Sequence, residues 1–253
     1  MIVIGVDGAG WDVINANEPR LPTFTRLKRT WTASTMHLEQ KPWSASVWCS
    51  MFSGKTPEEH GHRDFVKDGK IQTRDDVRVD FIWDQMHRVG TSVVALNVPF
   101  IVPPYSFNIR YIGPGGGVPI SREEMRAEIA EVADRIRTVK ETQNPDLLIA
   151  CFTAIDKISH QEWGEHVVAE YYEQMDRALA PLVELDPEML IISDHGFCDY
   201  DAAPIQTLPK VTSTGRTLKG DHHPDAIVLR HNIDFPIAQP MDVYHGLAKR
   251  FLG

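Results

Sequence analysis

Cysteine is scarce in the sequence, and its spacing excludes two kinds of site. The 253 residues contain three cysteines, Cys49, Cys151 and Cys198, and no two of them are spaced as CxxC. An odd number at these spacings argues against a disulfide framework and against a metal site built from thiolates. All three lie among apolar residues, where cysteine commonly packs as a small core side chain.

Long apolar runs and basic clusters are also missing. No apolar run approaches the roughly 20 residues of a membrane-spanning helix, and the opening MIVIGVDG lacks the basic leader of a signal peptide. The 35 acidic residues outnumber the 26 Lys and Arg, giving a net charge of −9, and no basic stripe offers a surface for nucleic acid. We therefore predict a cytoplasmic protein without nucleic-acid or membrane partners, and the sequence leaves its oligomeric state open.

Apolar, β-branched segments alternate with helical patterns along the chain. Strands are predicted at 2–6, 92–98, 146–152, 189–193 and 226–229, and helices at 44–52, 81–89, 121–139 and 162–185. The strands are continuously apolar rather than alternating, which is typical of a mainly parallel sheet covered on both faces. The prediction is an α/β fold, a three-layer α/β/α sandwich with a mainly parallel central sheet, formed by one domain over residues 1–253.

Carboxylate and imidazole groups follow three of these strands. Asp7 follows the first strand, Asp156 the third, and the pair Asp194-His195 the fourth. Because the carboxyl ends of parallel strands form one ligand crevice, we expect these side chains to converge. Asp156 and His160, four residues apart, share one face at the start of a helix. Taken alone, Asp7 is also consistent with a helix cap or turn, and the Asp156–His160 pair with a position on the surface.

These residue types together indicate a metal site. Carboxylate oxygen and imidazole nitrogen are joint ligands of divalent metals, zinc in particular. The five residues above and one histidine from late in the chain are enough ligands for two ions. Two ions about 4 Å apart can hold a nucleophile and a phosphoryl oxygen together. A metal would also activate a serine hydroxyl without a His–Asp relay.

The segment WSASVWCSMFSGKTPEEHG contains four serines, of which Ser44 is the best candidate nucleophile. It begins a predicted helix, where free backbone N–H groups and the helix dipole favour an anion. An N-cap role for Ser44, which would need no metal, is the alternative. Ser46, Ser50 and Ser53 fall inside the turn or the helix, where packing or hydrogen bonds to the backbone are expected. The chain has neither a GxSxG elbow nor a P-loop.

Six segments form a larger pattern: VIGVDGAGWDVI, SASVWCSMFSGKTPEEHGHRDF, IWDQMHRVGTSVVALNVPFIVPP, FTAIDKISHQEW, ISDHGF and GDHHPDAIVL. In this order they resemble the alkaline phosphatase superfamily, and within it the type I phosphodiesterase/nucleotide pyrophosphatase branch. Trp48 matches the tryptophan of that branch, Ser53-Gly54 its Thr-Gly pair, and Ser44 its nucleophile. The segments span nearly the whole chain.

The resemblance implies two metal ions beside the nucleophile. The ligand sets are Asp156, His160 and His222 for one ion, and Asp7, Asp194 and His195 for the other, which also binds Ser44 as an alkoxide. His222 rather than His223 is assigned because it lies two residues after Gly220. The family usually uses two zinc ions, with manganese as an alternative.

The resemblance also implies an alkaline phosphatase-like core without a large cap. The implied activity is hydrolysis of a small-molecule phosphate ester through a covalent phosphoseryl-type intermediate. A phosphodiester is the preferred substrate class, with a phosphate monoester or a phosphonate as the alternative. A catalytically inactive metal-binding module is the alternative from another class.

Three positions depart from the family pattern. Ala45-Ser46 stands where relatives have Pro-Pro, Ala226 where they have Gly, and Phe65 near the Asn with which nucleotide pyrophosphatases hold a phosphate oxygen. Arg63 is the candidate to hold that oxygen instead. The formylglycine-precursor motif of sulfatases and the inserted cap of the phosphoglycerate and phosphopentose mutases are both absent. These departures argue against a nucleotide diester, a sulfatase and a mutase.

Overall fold

The computed structural model describes all 253 residues, Met1 to Gly253. Its eleven strands are Ile2–Val6 (β1), Thr32–His37 (β2), Val66–Lys67 (β3), Lys70–Ile71 (β4), Val93–Val98 (β5), Tyr105–Phe107 (β6), Leu147–Phe152 (β7), Met189–Ile192 (β8), Gly196–Asp199 (β9), Gly220–His223 (β10) and Asp225–His231 (β11). Its nine α-helices are Trp11–Ala16 (α1), Pro22–Thr30 (α2), Ser44–Ser53 (α3), Pro57–His60 (α4), Ile82–Arg88 (α5), Arg122–Thr142 (α6), Ala154–Glu162 (α7), His166–Leu182 (α8) and Met241–Phe251 (α9). None of these helices has both the length and the apolar character needed to cross a membrane.

Seven of the strands form one sheet in the order β2-β11-β8-β1-β7-β5-β6. The four central strands, β8, β1, β7 and β5, run parallel, and Ile4 of β1 lies opposite Ala150 of β7 and Ile191 of β8. β11 runs antiparallel to both of its neighbours, and β6 pairs antiparallel with β5 at the opposite edge. The mainly parallel sheet predicted from the sequence is confirmed.

Helices cover both faces of this sheet. Ile2, Ile4 and Val6 of β1 pack with residues of α2, α6, α7 and α8 on one face. Val3 packs with residues of α3, α5 and α9 on the other. Successive side chains of a strand point to opposite faces, so a strand covered on both sides is apolar at every position. The three-layer α/β/α sandwich is therefore confirmed.

Most predicted elements end within one or two residues of their observed limits, but one helix prediction is wrong. Residues 162–185 are predicted as one helix, but residue 162 ends α7 and α8 begins only at His166. Gly164, at φ 79°, breaks the helical backbone between the two. Left-handed backbone of this kind favours glycine and ends helices. The capping box at Ser121 and Glu124 is present at the start of α6. The elements not predicted from the sequence are α1, α2, α4, α9, β2, β3, β4, β6, β9 and β10.

Gly5 of β1 leaves room for two side chains packed against the strand. A Cβ atom there would lie 2.5 Å from Cys151 Sγ and 2.6 Å from a ring carbon of Trp48. We expect Gly5→Ala to lower the free energy of unfolding by about 1–3 kcal/mol, measured by urea unfolding, because an overpacked core must shift. Gly10→Ala is the matched control, since a Cβ atom at Gly10 would have its nearest neighbours at 3.7 Å. Equal losses of stability in the two variants would contradict the crowding at Gly5.

Candidate active site

Acidic and imidazole side chains meet at the carboxyl end of the parallel strands. Asp7 follows β1, Asp194 and His195 follow β8, and Asp156 lies in the first turn of α7, after β7. His195 Nε2 lies 3.2 Å from Asp194 Oδ2, 3.5 Å from Asp7 Oδ1 and 3.9 Å from Asp156 Oδ1. All four side chains are buried. The convergence expected from the strand ends is present.

Asp7 lies in the turn after β1, as one interpretation of it expected, but the helix-cap and surface interpretations do not hold. Gly10, not Asp7, is the N-cap of α1. Asp7 instead accepts a hydrogen bond at Oδ2 from Trp48 Nε1, at 3.1 Å. Asp156 and His160 are both buried, so their pair is not a surface feature.

Two histidines face Asp156. Its Oδ1 lies 3.4 Å from His160 Nε2 and 3.2 Å from His222 Nε2, and the two nitrogens are 3.0 Å apart. β10 brings His222 into the site through its antiparallel pairing with β9. His223 is partly exposed, and its Nδ1 lies 3.8 Å from Asp225 Oδ2. The structure thus places His222, and not His223, with the other candidate ligands.

The three buried imidazoles direct lone pairs into the same space. Their Nδ1 atoms face the backbone carbonyl oxygens of Gly220, Gly196 and Pro42 for His160, His195 and His222 respectively. A carbonyl oxygen only accepts, so each Nδ1 carries a proton and a neutral ring keeps its lone pair on Nε2. Burial lowers the pKa of His195 and of His222 to about 4, so both rings are neutral at pH 7. Neutral imidazole with Nδ1 held by a carbonyl is the form that binds metals.

Carboxylate oxygens in the same space also lack donors. Asp156 Oδ1 and Asp194 Oδ2 are buried and have no hydrogen-bond partner. Asp7, Asp194 and His195 bring ligand atoms within 4.8 Å of one another, as do Asp156, His195 and His222. An unsatisfied buried acceptor is costly, and a divalent cation satisfies oxygen and nitrogen acceptors together. The residues therefore fit the metal sites that the sequence indicated.

Asp221 lies close to this set but has other partners. Its ligand atom, with those of His160 and His222, forms a third group within 4.8 Å. However, its carboxylate accepts hydrogen bonds from the backbone N–H and the hydroxyl of Thr207 and from the backbone N–H of His222. Asp221 thus ties the loop around Thr207 to β10.

The aspartates ionise differently in the absence of a cation. Burial raises the pKa of Asp194 to about 7. Burial, together with the charge of Asp194, raises the pKa of Asp7 well above its ordinary value. Burial also opposes the charged form of Asp156, but its neighbours, the charge of Lys157 first among them, outweigh burial and hold the pKa of Asp156 well below its usual range. A bound cation would favour the charged form of all three carboxyls.

Ser44 is the first residue of α3 and not its cap. The N-cap is Trp43, which makes no side-chain capping bond. Ser44 Oγ instead lies 3.0 Å from His195 Nε2 and 3.4 Å from Asp7 Oδ1. The N-cap interpretation is therefore wrong, and the hydroxyl lies among the candidate ligands.

A second serine of α3 has a histidine partner but no activating base. Ser50 Oγ lies 3.0 Å from His60 Nε2. His60 Nδ1 accepts a hydrogen bond from the backbone N–H of His62, at 3.0 Å, so a neutral His60 carries its proton on Nε2 and donates to the serine. A donor cannot remove the proton of Ser50. Of these two serines, Ser44 is thus the better-placed candidate for a nucleophile.

Four of the candidate residues line a cavity of about 130 Å³: Ser44, Asp156, His160 and His222. Arg63 lines it too, with its side chain 58% exposed and its guanidinium 3.9 Å from the Glu58 carboxylate. Its substrate-binding role stays a prediction. Phe65 and Lys157 also line this cavity. The sequence analysis missed Lys157, although it directly follows a predicted ligand.

Glu128 on α6 is a buried carboxyl that holds the start of α7. Its Oε1 accepts hydrogen bonds from Thr153 N at 2.7 Å, Thr153 Oγ1 at 3.0 Å and Asn97 Nδ2 at 3.1 Å. Its Oε2 accepts from Ala154 N at 3.3 Å. The first N–H groups of a helix have no partner within it, so Glu128 fixes the helix that carries two candidate ligands. The sequence analysis missed it, and an acidic residue on the apolar face of α6 was the available signal.

Comparison with known families agrees with this geometry. A profile of the type I phosphodiesterase / nucleotide pyrophosphatase family matches residues 1–241. The chain belongs to this family. The resemblance drawn from the six sequence segments is confirmed. No curated protein matches the sequence.

Solved structures of the alkaline phosphatase superfamily share the fold of this phosphodiesterase-family chain. Murine ectonucleotide pyrophosphatase/phosphodiesterase 5 matches at 13% identity with a TM-score of 0.64, over 100% of this chain and 95% of that one. Phosphonoacetate hydrolase from Sinorhizobium meliloti 1021, in complex with phosphonoformate, matches at 15% identity with a TM-score of 0.59, over 85% of this chain and 58% of that one. The alkaline phosphatase PafA matches at 11% identity with a TM-score of 0.59, over 78% and 62%. The match therefore spans less than two thirds of the last two chains.

Glu128→Gln should change how stability depends on pH. Burial raises the pKa of Glu128 to about 7 from 4.5, so the folded protein binds this proton more tightly than the unfolded chain. The contribution of the carboxyl to stability is full below about pH 4.5 and is lost as the pH rises through about 7. We expect the wild type to lose stability relative to Glu128→Gln between about pH 5 and about pH 8 in urea unfolding.

Glu131→Gln, on the exposed face of α6, is the matched control for this experiment. Its stability relative to the wild type should stay constant over the same pH range. A Glu128→Gln difference that is equally constant would contradict the raised pKa.

Proposed function

We propose that the protein is a metal-dependent hydrolase of phosphate esters in which Ser44 is the nucleophile. The observation that carries this proposal is the position of Ser44 Oγ, 3.0 Å from His195 Nε2 and 3.4 Å from Asp7 Oδ1, on the wall of the 130 Å³ cavity. Asp156 and His222 line the same cavity. Family membership supports the same reaction class.

Two divalent ions are proposed as cofactors, zinc first and manganese as the alternative. Asp156, His160 and His222 would hold one ion, and Asp7, Asp194 and His195 the other, with Ser44 beside it. When bound, the ions supply positive charge that lowers the pKa of the serine hydroxyl and neutralises charge on the phosphoryl group. The mixed oxygen and nitrogen donors support zinc.

The residues of the chain have defined tasks in this reaction. Ser44 Oγ loses its proton to solvent and attacks phosphorus, the P–O bond to the leaving group breaks, and the expelled oxygen takes a proton from water to become the alcohol. A further water then hydrolyses the covalent phosphoseryl ester and restores the serine hydroxyl. The backbone N–H groups of Ser44, Ala45 and Ser46 have no backbone acceptor, because the first hydrogen bond within α3 is from Val47 N to Trp43 O. These donors at a helix N-terminus suit the oxygens of a phosphoryl group.

A phosphodiester is the proposed substrate class, as the family description indicates. A phosphate monoester or phosphonate is the second candidate, favoured by the cationic side chains of Arg63 and Lys157 in the cavity lining. A metal-binding module without turnover is the alternative from another class, and the competent residue type at each of the seven candidate positions argues against it. A cytoplasmic setting stays a prediction.

Ser44→Ala should abolish hydrolysis. We expect kcat/KM on nitrophenyl phosphate mono- and diesters to fall by at least ~10³-fold, because the nucleophile is lost. Ser50→Ala, in the same helix, is the matched control and should retain activity. Whichever ester the wild type hydrolyses faster identifies the substrate class. Mass spectrometry of quenched wild-type reactions should detect a phosphorylated Ser44. Equal activity in Ser44→Ala and the wild type would assign the nucleophile to another group.

Metal content tests the proposed ligand sets separately from activity. Protein purified without chelator and supplemented with zinc or manganese should contain about two ions per chain. His222→Ala should lose one ion and the thermal stabilisation that accompanies it, because binding to the folded state alone raises Tm. His223→Ala, one residue further along β10, should keep both. Identical metal content in these two variants would remove His222 from the ligand set.

A further inference from the structure

Lys157 lies where the candidate active-site cavity meets a second, apolar cavity. The second cavity, of about 90 Å³, shares only Phe65 and Lys157 with the first. Its other lining residues are Pro99, Ile101, Val102, Pro104, Gly117, Val118 and Thr153. The stem of Lys157 thus contributes to an apolar wall, and the reaction described above uses no atom of it.

The ammonium group of Lys157 has one protein partner. Lys157 Nζ donates to Asp156 Oδ2 at 2.8 Å, and no other acceptor in the chain lies within hydrogen-bond distance. The side chain is 28% exposed. An ammonium has three N–H donors, so two are free for a ligand in the cavity. Asp156 Oδ1, the other oxygen of the carboxylate, faces the imidazoles of His160 and His222.

Lys157 and Arg63 are the lysine and arginine side chains that line the candidate active-site cavity. Arg63, the other cation of the cavity, is 58% exposed and lies near the Glu58 carboxylate. A charge that is less exposed to water acts more strongly on a bound ion. Lys157 is therefore the stronger of the two electrostatic contacts available to a substrate.

We propose that Lys157 is a substrate-binding residue that holds a non-bridging phosphoryl oxygen and contributes more for a doubly charged phosphoryl group than for a singly charged one. This inference rests on the proposed function. Monoesters and phosphonates are dianions, whereas diesters are monoanions. Lys157 would therefore discriminate between these two classes of substrate. The physical reason is that the attraction scales with the charge of the ligand.

Binding of inorganic phosphate and of dimethyl phosphate to the metal-loaded protein tests the proposal without turnover. Isothermal titration at about pH 8 compares the wild type with Lys157→Met, which keeps the apolar stem, and Lys157→Arg, which keeps the charge. We expect Lys157→Met to lose roughly 10- to 100-fold in affinity for phosphate, the usual loss for a charged hydrogen bond. The loss for dimethyl phosphate should be much smaller, and Lys157→Arg should restore most of the phosphate affinity. Lys249→Met, an exposed change of the same charge on α9, should bind phosphate as the wild type does.

Metal content and ester hydrolysis separate this proposal from its alternatives. Lys157→Met should keep the metal content of the wild type and should lower the monoester-to-diester ratio of kcat/KM. If it loses metal and weakens both ligands equally, Lys157 only supports Asp156 and the proposal is overturned. Unchanged phosphate affinity in Lys157→Met, or no phosphate binding by the wild type, overturns it as well. If the wild type binds phosphate through Lys157 but hydrolyses no ester, the proposed function fails while the role of Lys157 stands.

Discussion

The architecture depends on one electrostatic constraint: many hydrogen-bond acceptors are buried at one site, and few hydrogen-bond donors are available to them. Three carboxylates and three imidazole lone pairs occupy the carboxyl end of the parallel strands, and two of the carboxylate oxygens have no hydrogen-bond partner. Burial disfavours the charged form of these carboxyls, and the charge of a neighbouring carboxylate adds to that effect, so the pKa values of Asp7 and Asp194 are raised. The site is therefore incomplete without positive charge, and the surrounding residues must hold the acceptors together against their repulsion.

The surrounding residues hold every candidate ligand in the same way. One atom of each side chain is fixed by the protein, and the other is left facing the site. Trp48 Nε1, Gly8 N and Lys157 Nζ each hold one oxygen, of Asp7, Asp194 and Asp156 respectively. Backbone carbonyls hold Nδ1 of the three histidines in the same way. Glu128 adds a further level of support, because it holds the N-terminus of the helix that carries Asp156 and His160. The donors thus orient the ligand atoms and leave their charge to be neutralised by a cation.

The sequence predicts the central sheet and the aspartates of the candidate site well. It predicts the residues around those aspartates poorly. Continuous apolar segments mark buried parallel strands, and the few residue types that follow such strands limit the interpretation. His222 required the resemblance to a family, because GDHH has no strand pattern and β10 pairs with β9 outside the main sheet. Lys157 gave no signal of its own, since a lysine on a helix usually faces solvent, and the one signal for Glu128, its place on the apolar face of α6, does not show which groups it contacts. The start of α8 was predicted four residues too early, at 162, because the apolar positions that reveal this helix begin only at Val168.

A one-residue difference in helix register explains why Ser44 is available for chemistry. A serine at the N-cap would accept hydrogen bonds from the first N–H groups of its own helix, and its hydroxyl and those donors would satisfy each other. Here the cap position belongs to Trp43, whose side chain makes no capping bond, and Ser44 is the first helical residue. The hydroxyl therefore faces His195 and Asp7 instead of capping the helix, and the N–H groups of Ala45 and Ser46 have no backbone acceptor at the same end of α3. The proposed nucleophile and the N–H donors proposed for the phosphoryl group are thus supplied together by a single helix start.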